Sequence, residues 1–281
     1  MPSPGAAQAE AERSLRVVGA ARLSREELAA LVRAHHRAVA AGEGVLKDGR
    51  RSRVTRVVSR GEAYCVKEYR AGGWLDRITE SLYGRRARRA WRSAALFTRC
   101  GIRTPEPVAL VEGRATSYLV TRFIEGAVPL DRLLRERFAG VLGAGELAAK
   151  RALVRQLAWW LRGVHDLGVY HDDWSTKNIL TVRRGDDWEF HFLDLESVVP
   201  RKRRLTYRRR VKNLGQLSDA PFGIARTDRM RFLVAYAGGD RALTRGRFPQ
   251  DIVAAARRRG EAWARVQAKA RKQRERKLRN A

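Results

Sequence analysis

Acidic residues are scarce in this chain of 281 residues: 30 Asp and Glu stand against 59 Lys and Arg, which leaves a formal net charge of +29. A cationic excess of this size indicates polyanionic partners, such as nucleic acid, an acidic membrane face or a phosphorylated glycan. The charge does not prevent folding, because 44% of the residues are hydrophobic and the chain is long enough to bury a substantial core. One two-lobed domain or two small domains are therefore expected.

The chain has only two cysteines, Cys65 and Cys100, and no apolar run of membrane-spanning length. The cysteine spacing fits neither a metal site nor a disulfide framework, so both are expected to be buried thiols in a reducing compartment. Charged residues interrupt even the most apolar stretch, residues 152–167. The first residues lack the basic start and apolar run of a secretory signal. We therefore expect a cytoplasmic protein that can bind the inner face of the cytoplasmic membrane peripherally.

Residue spacing divides the first 125 residues into a loose start, a helix and a β-rich lobe. Residues 1–20, rich in Ala, Gly and Pro, are expected to be loose. An added helix is predicted from Ser24, because Ser24 and Glu27 form a capping-box pattern ahead of an apolar stripe. Period-two alternation over residues 44–70 predicts two or three antiparallel strands. The remaining elements of this lobe are predicted as a helix at 84–100 and strands at 108–112 and 117–123.

The rest of the chain is predicted to be mainly helical, after a hinge at Glu125 and Gly126. Its longest helix is expected over residues 148–167, along one apolar stripe. Two short strands are expected at 179–182 and 190–193. The predicted organisation is an N-terminal tail with an extra helix, an N-lobe with a small sheet, a C-lobe, and a basic C-terminal helix or tail, at residues 1–42, 43–125, 126–251 and 252–281.

The most informative segment runs from His171 to Asn178 and contains the pattern H-x-D-x-x-x-x-N. Phosphoryl transfer from a nucleotide needs a carboxylate to orient the attacking hydroxyl, and oxygen ligands that hold magnesium against the phosphates. Asp173 supplies the carboxylate, and Asn178 together with Asp194 supplies the ligands. Upstream, Lys67 ends the strand sequence YCVK and suits a lysine that holds the nucleotide phosphates.

These elements, in this order, resemble the protein-kinase-like superfamily. The resemblance implies an α+β, two-lobed protein-kinase-like fold, with a small antiparallel β-sheet N-lobe that has one main helix, and a mainly helical C-lobe. A narrower similarity is to the lipopolysaccharide kinase family, the Kdo and heptose kinases. The segments that carry it, within about residues 45–235, are GRRARRAW, GIRTPEP, HDD with its Asn, DLE and RRVKNLGQL.

The family resemblance implies transfer of the γ-phosphate of ATP, with Mg²⁺, to a sugar hydroxyl of the lipopolysaccharide inner core, Kdo or heptose. The acceptor would be an anionic glycolipid at the cytoplasmic membrane face. Carried over to this sequence, the resemblance implies a catalytic base at Asp173, magnesium ligands at Asn178 and Asp194, and a phosphate clamp at Lys67. The specific sugar, its hydroxyl and the oligomeric state are left open.

Three further residues are assigned supporting roles. By the same resemblance, His171 would pack and hydrogen bond beneath the loop. We add the hypothesis that Lys177, four residues after Asp173, has a catalytic role and neutralises charge developing on the γ-phosphate. Glu196, two residues after Asp194, is interpreted either as a turn acid or as support for the metal.

The sequence departs from the kinase pattern in two places. The helix position where a glutamate would pair with the strand lysine is Ala90, and the nearest upstream acid, Glu80, is in a different register. Residues 42–49 contain three glycines but no G-x-G-x-x-G. Both departures bear on ATP affinity and on the orientation of Lys67. A non-catalytic kinase-fold adaptor that binds nucleic acid or an acidic membrane is therefore one alternative.

Other kinase-like enzymes are further alternatives. A small-molecule phosphotransferase shares the motif, but its acceptor site is usually acidic. A protein kinase needs an activation segment ending in A-P-E, and here Ala220-Pro221 is followed by Phe222. Nucleic acid is not favoured as a partner, because no aromatic-rich RNA motif or helix-turn-helix is visible. The basic run 201–212 is expected to suit an anionic acceptor, and the tail Arg257–Arg279 to contact anionic lipid headgroups.

Overall fold

The structure is a computed structural model and describes residues 16–20, 23–70, 86–113, 116–200, 204–218 and 223–279. Several sequence-based expectations lie outside the described residues, namely those for residues 1–15, Glu80, residues 201–203 and Ala220-Pro221-Phe222. The chain divides into two compact units. The first comprises Met1–Glu125 with His191–Val198, and the second comprises Gly126–Phe190 with Val199–Ala281.

The first unit is built on a six-stranded antiparallel sheet. Its strands are β1 (Arg16–Ala20), β2 (Val45–Asp48), β3 (Ser52–Ser59), β4 (Glu62–Arg70), β5 (Pro107–Glu112) and β6 (Thr116–Arg122). They lie in the order β1-β5-β6-β4-β3-β2, and every neighbouring pair is antiparallel. The hairpin β3–β4 pairs without a register shift from Ser52 opposite Tyr69 to Ser59 opposite Glu62. This arrangement confirms the strands predicted over 44–70, 108–112 and 117–123.

The first helix, α1 (Arg25–Ala41), belongs to the core of this unit. The Ser24 hydroxyl accepts from the Glu27 backbone N–H and the Glu27 carboxylate accepts from the Ser24 N–H, so the predicted capping box is present. Leu31, on the apolar face, is 1% exposed and lies in one cluster with the sheet residues Val57 and Val66. Such burial contributes about 1.5–3 kcal/mol for a leucine side chain. The helix is therefore an integral layer over the sheet.

Two expectations for this unit are wrong. Residues 16–20 are not loose but form the edge strand β1, because five residues are too few for alternation to stand out in a sequence. Cys100 is exposed, since it follows the end of α2 (Arg86–Arg99), where the chain turns at Gly101. Cys65 is enclosed in the sheet, and burial raises the pKa of its thiol to about 11. Only Cys65 therefore approaches the buried environment that was expected of both thiols.

The second unit is mainly helical, as predicted. Its helices are α3 (Leu130–Phe138), α4 (Ala144–Asp166), α5 (Tyr207–Leu217), α6 (Arg226–Ala237), α7 (Arg241–Arg245) and α8 (Phe248–Arg279). The short strands are β7 (Val128–Pro129), β8 (Val169–His171), β9 (Ile179–Arg184), β10 (Asp187–Phe192) and β11 (Val198–Pro200); the end of β10, from His191, and the first residue of β11 belong to the first unit. Strand β9 lies between β10 and β7.

Two helix contacts organise this unit. The buried stripe of α4, predicted from its apolar spacing, packs against α6. Helix α8 packs against α5 at Gly215, where an added Cβ would lie 2.7 Å from the Cβ of Ala255. The absence of a side chain at Gly215 is therefore what allows α8 to approach α5. Within the described parts of the chain, none of the helices combines the length and apolar character that a membrane crossing requires.

Candidate active site

In the first unit, the Lys67 side chain on β4 lies between two carboxylates. Its Nζ donates to Asp194 and, at 3.1 Å, to each carboxylate oxygen of Glu196. Strand alternation explains the direction of the side chain: Val66 points into the hydrophobic core, so Lys67 points to the other face of the sheet. The structure thus brings together the predicted phosphate clamp and one predicted magnesium ligand.

Asp194 has an unusual backbone conformation. With φ 57° and ψ 45°, it occupies the left-handed region, which a non-glycine residue adopts at a cost of about 1–3 kcal/mol. Aspartate is among the few side chains enriched there. The conformation leads the chain from β10 into the 3₁₀ turn Leu195–Ser197, which packs against α2. A strained residue fixed by its surroundings is typical of a functional site.

Glu196 makes the contact with the strand lysine that Ala90 cannot make. Its side chain is 5% exposed and accepts hydrogen bonds from Lys67, from the Tyr69 hydroxyl at 3.2 Å and from Arg86 Nη2 at 3.0 Å. Ala90 is fully buried on α2. Sequence reasoning missed this pairing because Glu196 lies 129 residues after Lys67 and follows the metal motif rather than the helix.

Tyr69 and the two carboxylates offset the effect of burial on the charge of Lys67. Burial by itself would lower the pKa of the Lys67 ammonium, but Tyr69, Glu196 and Asp194 around it raise that pKa well above its ordinary value. Burial, with Glu196 next, also raises the pKa of the Tyr69 phenol. Lys67 is therefore a permanent cation and Tyr69 a neutral donor at neutral pH.

In the second unit, strand β8 leads into the loop that carries Asp173 and Asn178. The Asn178 Nδ2 donates to the backbone oxygen of Asp173 at 3.0 Å and to its carboxylate Oδ2 at 3.3 Å. The 3₁₀ turn Thr176–Asn178, capped by Ser175, returns the chain to Asp173. Because the amide nitrogen faces Asp173, the amide oxygen is the Asn178 atom that could bind a metal. The structure thus brings together the predicted base and the second predicted ligand.

The buried face of α5 fixes the backbone of this loop. Asn213 Nδ2 donates to the His171 carbonyl at 2.7 Å, and Gln216 Nε2 donates to the Asp172 carbonyl at 2.6 Å. The His171 ring, 1% exposed, accepts from the backbone N–H of Asp173 at 3.1 Å, in agreement with its expected structural role. Sequence reasoning did not assign a role to Asn213 or Gln216. The available signal was two polar residues, three apart, on the apolar face of an amphipathic helix.

The acids of the loop have cationic partners from two helices. Lys212 Nζ on α5 lies 3.1 Å from Asp172 Oδ1, and Arg259 Nη2 on α8 donates to Asp173 Oδ1 at 2.8 Å. Burial works to raise the pKa of the Asp172 carboxyl, but the hydrogen bond from Lys212 outweighs it and lowers that pKa. Lys177, the predicted charge-neutralising residue, is exposed on the 3₁₀ turn.

Part of the basic run 201–212 is neutralised by the protein itself. Arg210 Nη2 lies 2.6 Å from Asp166 Oδ1, and its Nη1 donates to the Tyr236 hydroxyl at 3.1 Å. Lys212 pairs with Asp172 in the same way. The run is therefore not one uniform cationic face over its described residues, 204–212. The sequence alone did not reveal that Arg210 lies on the side of the helix that contacts Asp166 and Tyr236.

The donor set can be tested against a metal ion. Across the part of the chain that the structure describes, no three His, Cys, Asp or Glu side chains group into a metal site. A magnesium ion on a nucleotide does not need such a cluster, because substrate phosphates and water provide most of its ligands. The Asp194 carboxylate and the Asn178 amide oxygen are hard oxygen donors of the required kind. By donor chemistry, each of these two residues fits a magnesium ion that also carries nucleotide phosphates.

Comparison with known proteins places these residues in a family. A model of the lipopolysaccharide kinase (Kdo/WaaP) family matches residues 25–236, about three-quarters of the chain. The chain belongs to the lipopolysaccharide kinase family. It is therefore a phosphotransferase that acts on a sugar hydroxyl, a kinase of the lipopolysaccharide core that uses ATP, as the sequence predicts. The match includes α1, which the motif-based resemblance over residues 45–235 left out.

A solved structure agrees with the family assignment. The structure described as WaaP in complex with acyl carrier protein has a TM-score of 0.56 and 26% sequence identity, and the similarity covers 80% of this chain and 91% of that chain. A structure of WbdD with a kinase inhibitor has a TM-score of 0.46 and 17% identity, covering 76% and 44% of the two chains. No curated protein sequence matches. The predicted α+β, two-lobed protein-kinase-like fold is confirmed.

Proposed function

We propose that this lipopolysaccharide kinase transfers the γ-phosphate of ATP, as its magnesium complex, to a hydroxyl of an inner-core sugar, Kdo or heptose. The observation that carries the proposal is the Asp173–Asn178 loop. One side chain of the pair is a half-exposed carboxylate that could accept a proton, and the other turns its amide oxygen away from that carboxylate. A base beside a metal ligand is the arrangement that phosphoryl transfer requires.

The roles of the first unit follow from its charges. Lys67 is held as a cation and would bind the nucleotide phosphates, and Asp194 would hold the metal. Asp194 in the first unit and Asn178 in the second are each proposed as a magnesium ligand, and magnesium, when bound, would neutralise charge on the phosphates. Glu196 acts as a positioning residue, because its two oxygens fix the Lys67 ammonium in the absence of a helix glutamate.

In the proposed reaction, the acceptor hydroxyl attacks the γ-phosphorus. A new sugar O–P bond forms and the bond between the γ-phosphorus and the β–γ bridging oxygen breaks, which releases ADP. The hydroxyl proton passes to the Asp173 carboxylate. Lys177, exposed on the turn that follows, would reach the charge that develops on the transferred group.

The experiment incubates the purified full chain with ATP, MgCl₂ and deacylated lipopolysaccharide core, and it detects added phosphate on the core by mass spectrometry. We expect one phosphate per core molecule, transferred only when magnesium is present. Parallel reactions contain a peptide mixture or an aminoglycoside, the acceptors of the alternative enzyme classes. Transfer to either of these acceptors without transfer to core would overturn the proposal, and so would ATP binding without transfer to any acceptor.

We also propose peripheral contact with an anionic membrane through the distal part of α8. Trp263 and Val266 are exposed there, 62% and 57%, next to the exposed cations Arg265 and Lys269. Each basic residue near an anionic surface contributes about 1 kcal/mol, and salt screens the attraction. Co-sedimentation with phosphatidylglycerol vesicles should therefore decrease as salt increases. Equal binding to uncharged phosphatidylcholine vesicles would contradict this proposal.

A further inference from the structure

The C-terminal helix α8 contributes a cation directly to the proposed base. Arg259 Nη2 donates to Asp173 Oδ1 at 2.8 Å, while the Asp173 Oδ2 accepts from Asn178. The family match ends at residue 236, before α8 begins at Phe248. This guanidinium therefore comes from a part of the chain that the family model does not describe.

The position of Arg259 is built into the packing of the second unit. The first residue of α8, Phe248, is 1% exposed and its ring packs against Tyr207 and Tyr236. The Tyr207 hydroxyl also donates to Asp251 Oδ2 at 2.6 Å. The proximal part of α8 is thus attached to the body of the unit by both apolar and polar contacts.

The close approach at Gly215 extends this attachment toward the loop. Ala255 contacts α5 at Gly215, and Arg259 follows four residues later on the same face of α8. The same helix α5 carries Asn213 and Gln216, which fix the backbone of the Asp173 loop. One helix therefore sets the positions of both Arg259 and the loop that carries Asp173.

The pair is accessible to solvent, unlike a structural ion pair. The Arg259 side chain is 34% exposed and that of Asp173 is 51% exposed. An exposed ion pair of this kind is weak, so a competing anion can replace one partner at little cost. A guanidinium has a planar fork of donors that fits the two oxygens of a phosphate or carboxylate.

The acceptor hydroxyl and Arg259 require the same carboxylate. Asn178 donates to Oδ2 and Arg259 donates to Oδ1, so a hydroxyl that approaches Oδ1 meets the guanidinium there. An oxyanion on the acceptor would attract the guanidinium and release Oδ1. We propose that Arg259 binds a phosphate or carboxylate substituent of the sugar acceptor next to the reacting hydroxyl, and that its pairing with Asp173 is the acceptor-free arrangement. This inference rests on the proposed function.

The test compares Arg259→Ala and Arg259→Lys with Arg258→Ala. Arg258 is the neighbouring exposed arginine on α8, so the control removes the same charge from the same helix. With deacylated core as acceptor, Arg259→Ala should raise the acceptor KM at least tenfold and leave the ATP KM within twofold of wild type. The acceptor KM of Arg259→Lys should lie between those of wild type and Arg259→Ala, because lysine keeps the charge but lacks the planar fork of donors. Arg258→Ala should match wild type.

Two modified acceptors identify the substituent. One is core treated with phosphatase, and the other is core with reduced carboxyl groups. Wild type and Arg259→Ala should have equal KM values on the acceptor that lacks the recognised group, and unequal values on the other. Thermal unfolding of each variant checks that the fold is retained.

Several results would overturn the inference. An unchanged acceptor KM in Arg259→Ala would make the pair merely structural. A higher turnover or a higher acceptor-independent ATP hydrolysis, with unchanged KM, would identify Arg259 as an inhibitory contact instead. If wild type and Arg258→Ala transfer no phosphate to core, the proposed function fails. In that case, calorimetric titration of core into wild type and Arg259→Ala tests the role of Arg259 independently of catalysis. Equal affinity for core in the two proteins, or no binding in either, would contradict the inference.

Discussion

The two sets of residues proposed for phosphoryl transfer, one in each unit, differ in how exposed their side chains are. In the first unit, Lys67, Asp194 and Glu196 have side chains that are 15%, 29% and 5% exposed, and their partners come from the core of that unit. In the second unit, Asp173 is half-exposed and its carboxylate pairs with Arg259, a residue of the terminal helix. Buried ionic contacts are costly to disturb, whereas exposed ones exchange partners readily.

The difference indicates two kinds of task. A nucleotide has the same phosphates in every turnover, so a rigid cluster around Lys67 costs nothing in versatility and keeps the lysine oriented. With Asp173 as the proposed base, the acceptor must enter and leave next to it, so this carboxylate benefits from a partner that can be displaced. We expect substitutions in the buried cluster to affect turnover strongly. Substitutions that disturb the packing of α8 should affect acceptor binding more than turnover.

Among substitutions outside the Asp173 loop, the largest effect is expected from Asp194→Asn. Asparagine tolerates the left-handed backbone of this position, so the fold should survive while the negative charge proposed to bind the metal is lost. We expect kcat to fall about 10²–10³-fold, the range for removal of one group that stabilises transition-state charge. Steady-state transfer to core measures this loss. Asp48→Asn, at an exposed acid of the same unit, serves as control, and equal activity in the two variants would refute the metal role.

A smaller effect is expected from Glu196→Gln. An amide cannot fully replace a carboxylate between Lys67 and Arg86, so the lysine should lose its fixed orientation. The ATP KM should rise about tenfold, which corresponds to about 1.4 kcal/mol, with little change in acceptor KM. Glu112→Gln is the matched control, because Glu112 is an equally buried acid of the same unit that pairs with Arg88. A similar ATP KM in both variants would remove the positioning role.

Gly215→Ala should loosen α8 without touching the Lys67 cluster. The new methyl group would lie 2.7 Å from the Ala255 Cβ, so α8 must shift. Overpacking of this kind lowers the free energy of unfolding by about 1–3 kcal/mol. Chemical denaturation measures that change, and kinetics should show a higher acceptor KM with an unchanged ATP KM. An effect on ATP KM alone would contradict the division between the two regions.

The smallest effect is expected from Gly163→Ala, the reference for the glycine substitution. Gly163 lies within α4, and nothing is found within 4 Å of the position that its Cβ would occupy. Alanine should therefore stabilise the protein by about 0.4–1 kcal/mol, because it restricts the unfolded chain. Both KM values should stay at wild type. Destabilisation here would show that α4 does not tolerate any added methyl, which would weaken the interpretation of Gly215→Ala.

The residues that could be predicted from the sequence are those that belong to short sequence motifs. The H-x-D-x-x-x-x-N spacing placed Asp173 and Asn178 in one loop, and period-two alternation placed Lys67 on a strand. These patterns work because a turn or a strand determines which residues meet. The α+β fold class followed from the order of such segments, and the family match confirmed it.

The partners from distant parts of the chain could not be predicted. Glu196 substitutes for the acid missing at Ala90 only because the strained Asp194 turns the following residues toward α2. Arg259 is one of many basic residues on α8, and only the packing at Gly215 selects it. Such pairings depend on tertiary contacts that a periodic pattern does not contain.

The central claim is that Asp173 serves as the base, and its neighbour provides the most direct test. Asp172 is an adjacent acid of the same loop with a 63% exposed side chain and its own cation, Lys212. Phosphate transfer to deacylated core is measured for Asp173→Ala and Asp172→Ala, with ATP affinity and thermal unfolding as controls. We predict that Asp173→Ala lowers kcat about 10²–10⁴-fold with ATP affinity retained, and that Asp172→Ala stays within about tenfold of wild type. Equal losses in the two variants, or full activity in Asp173→Ala, would contradict the account.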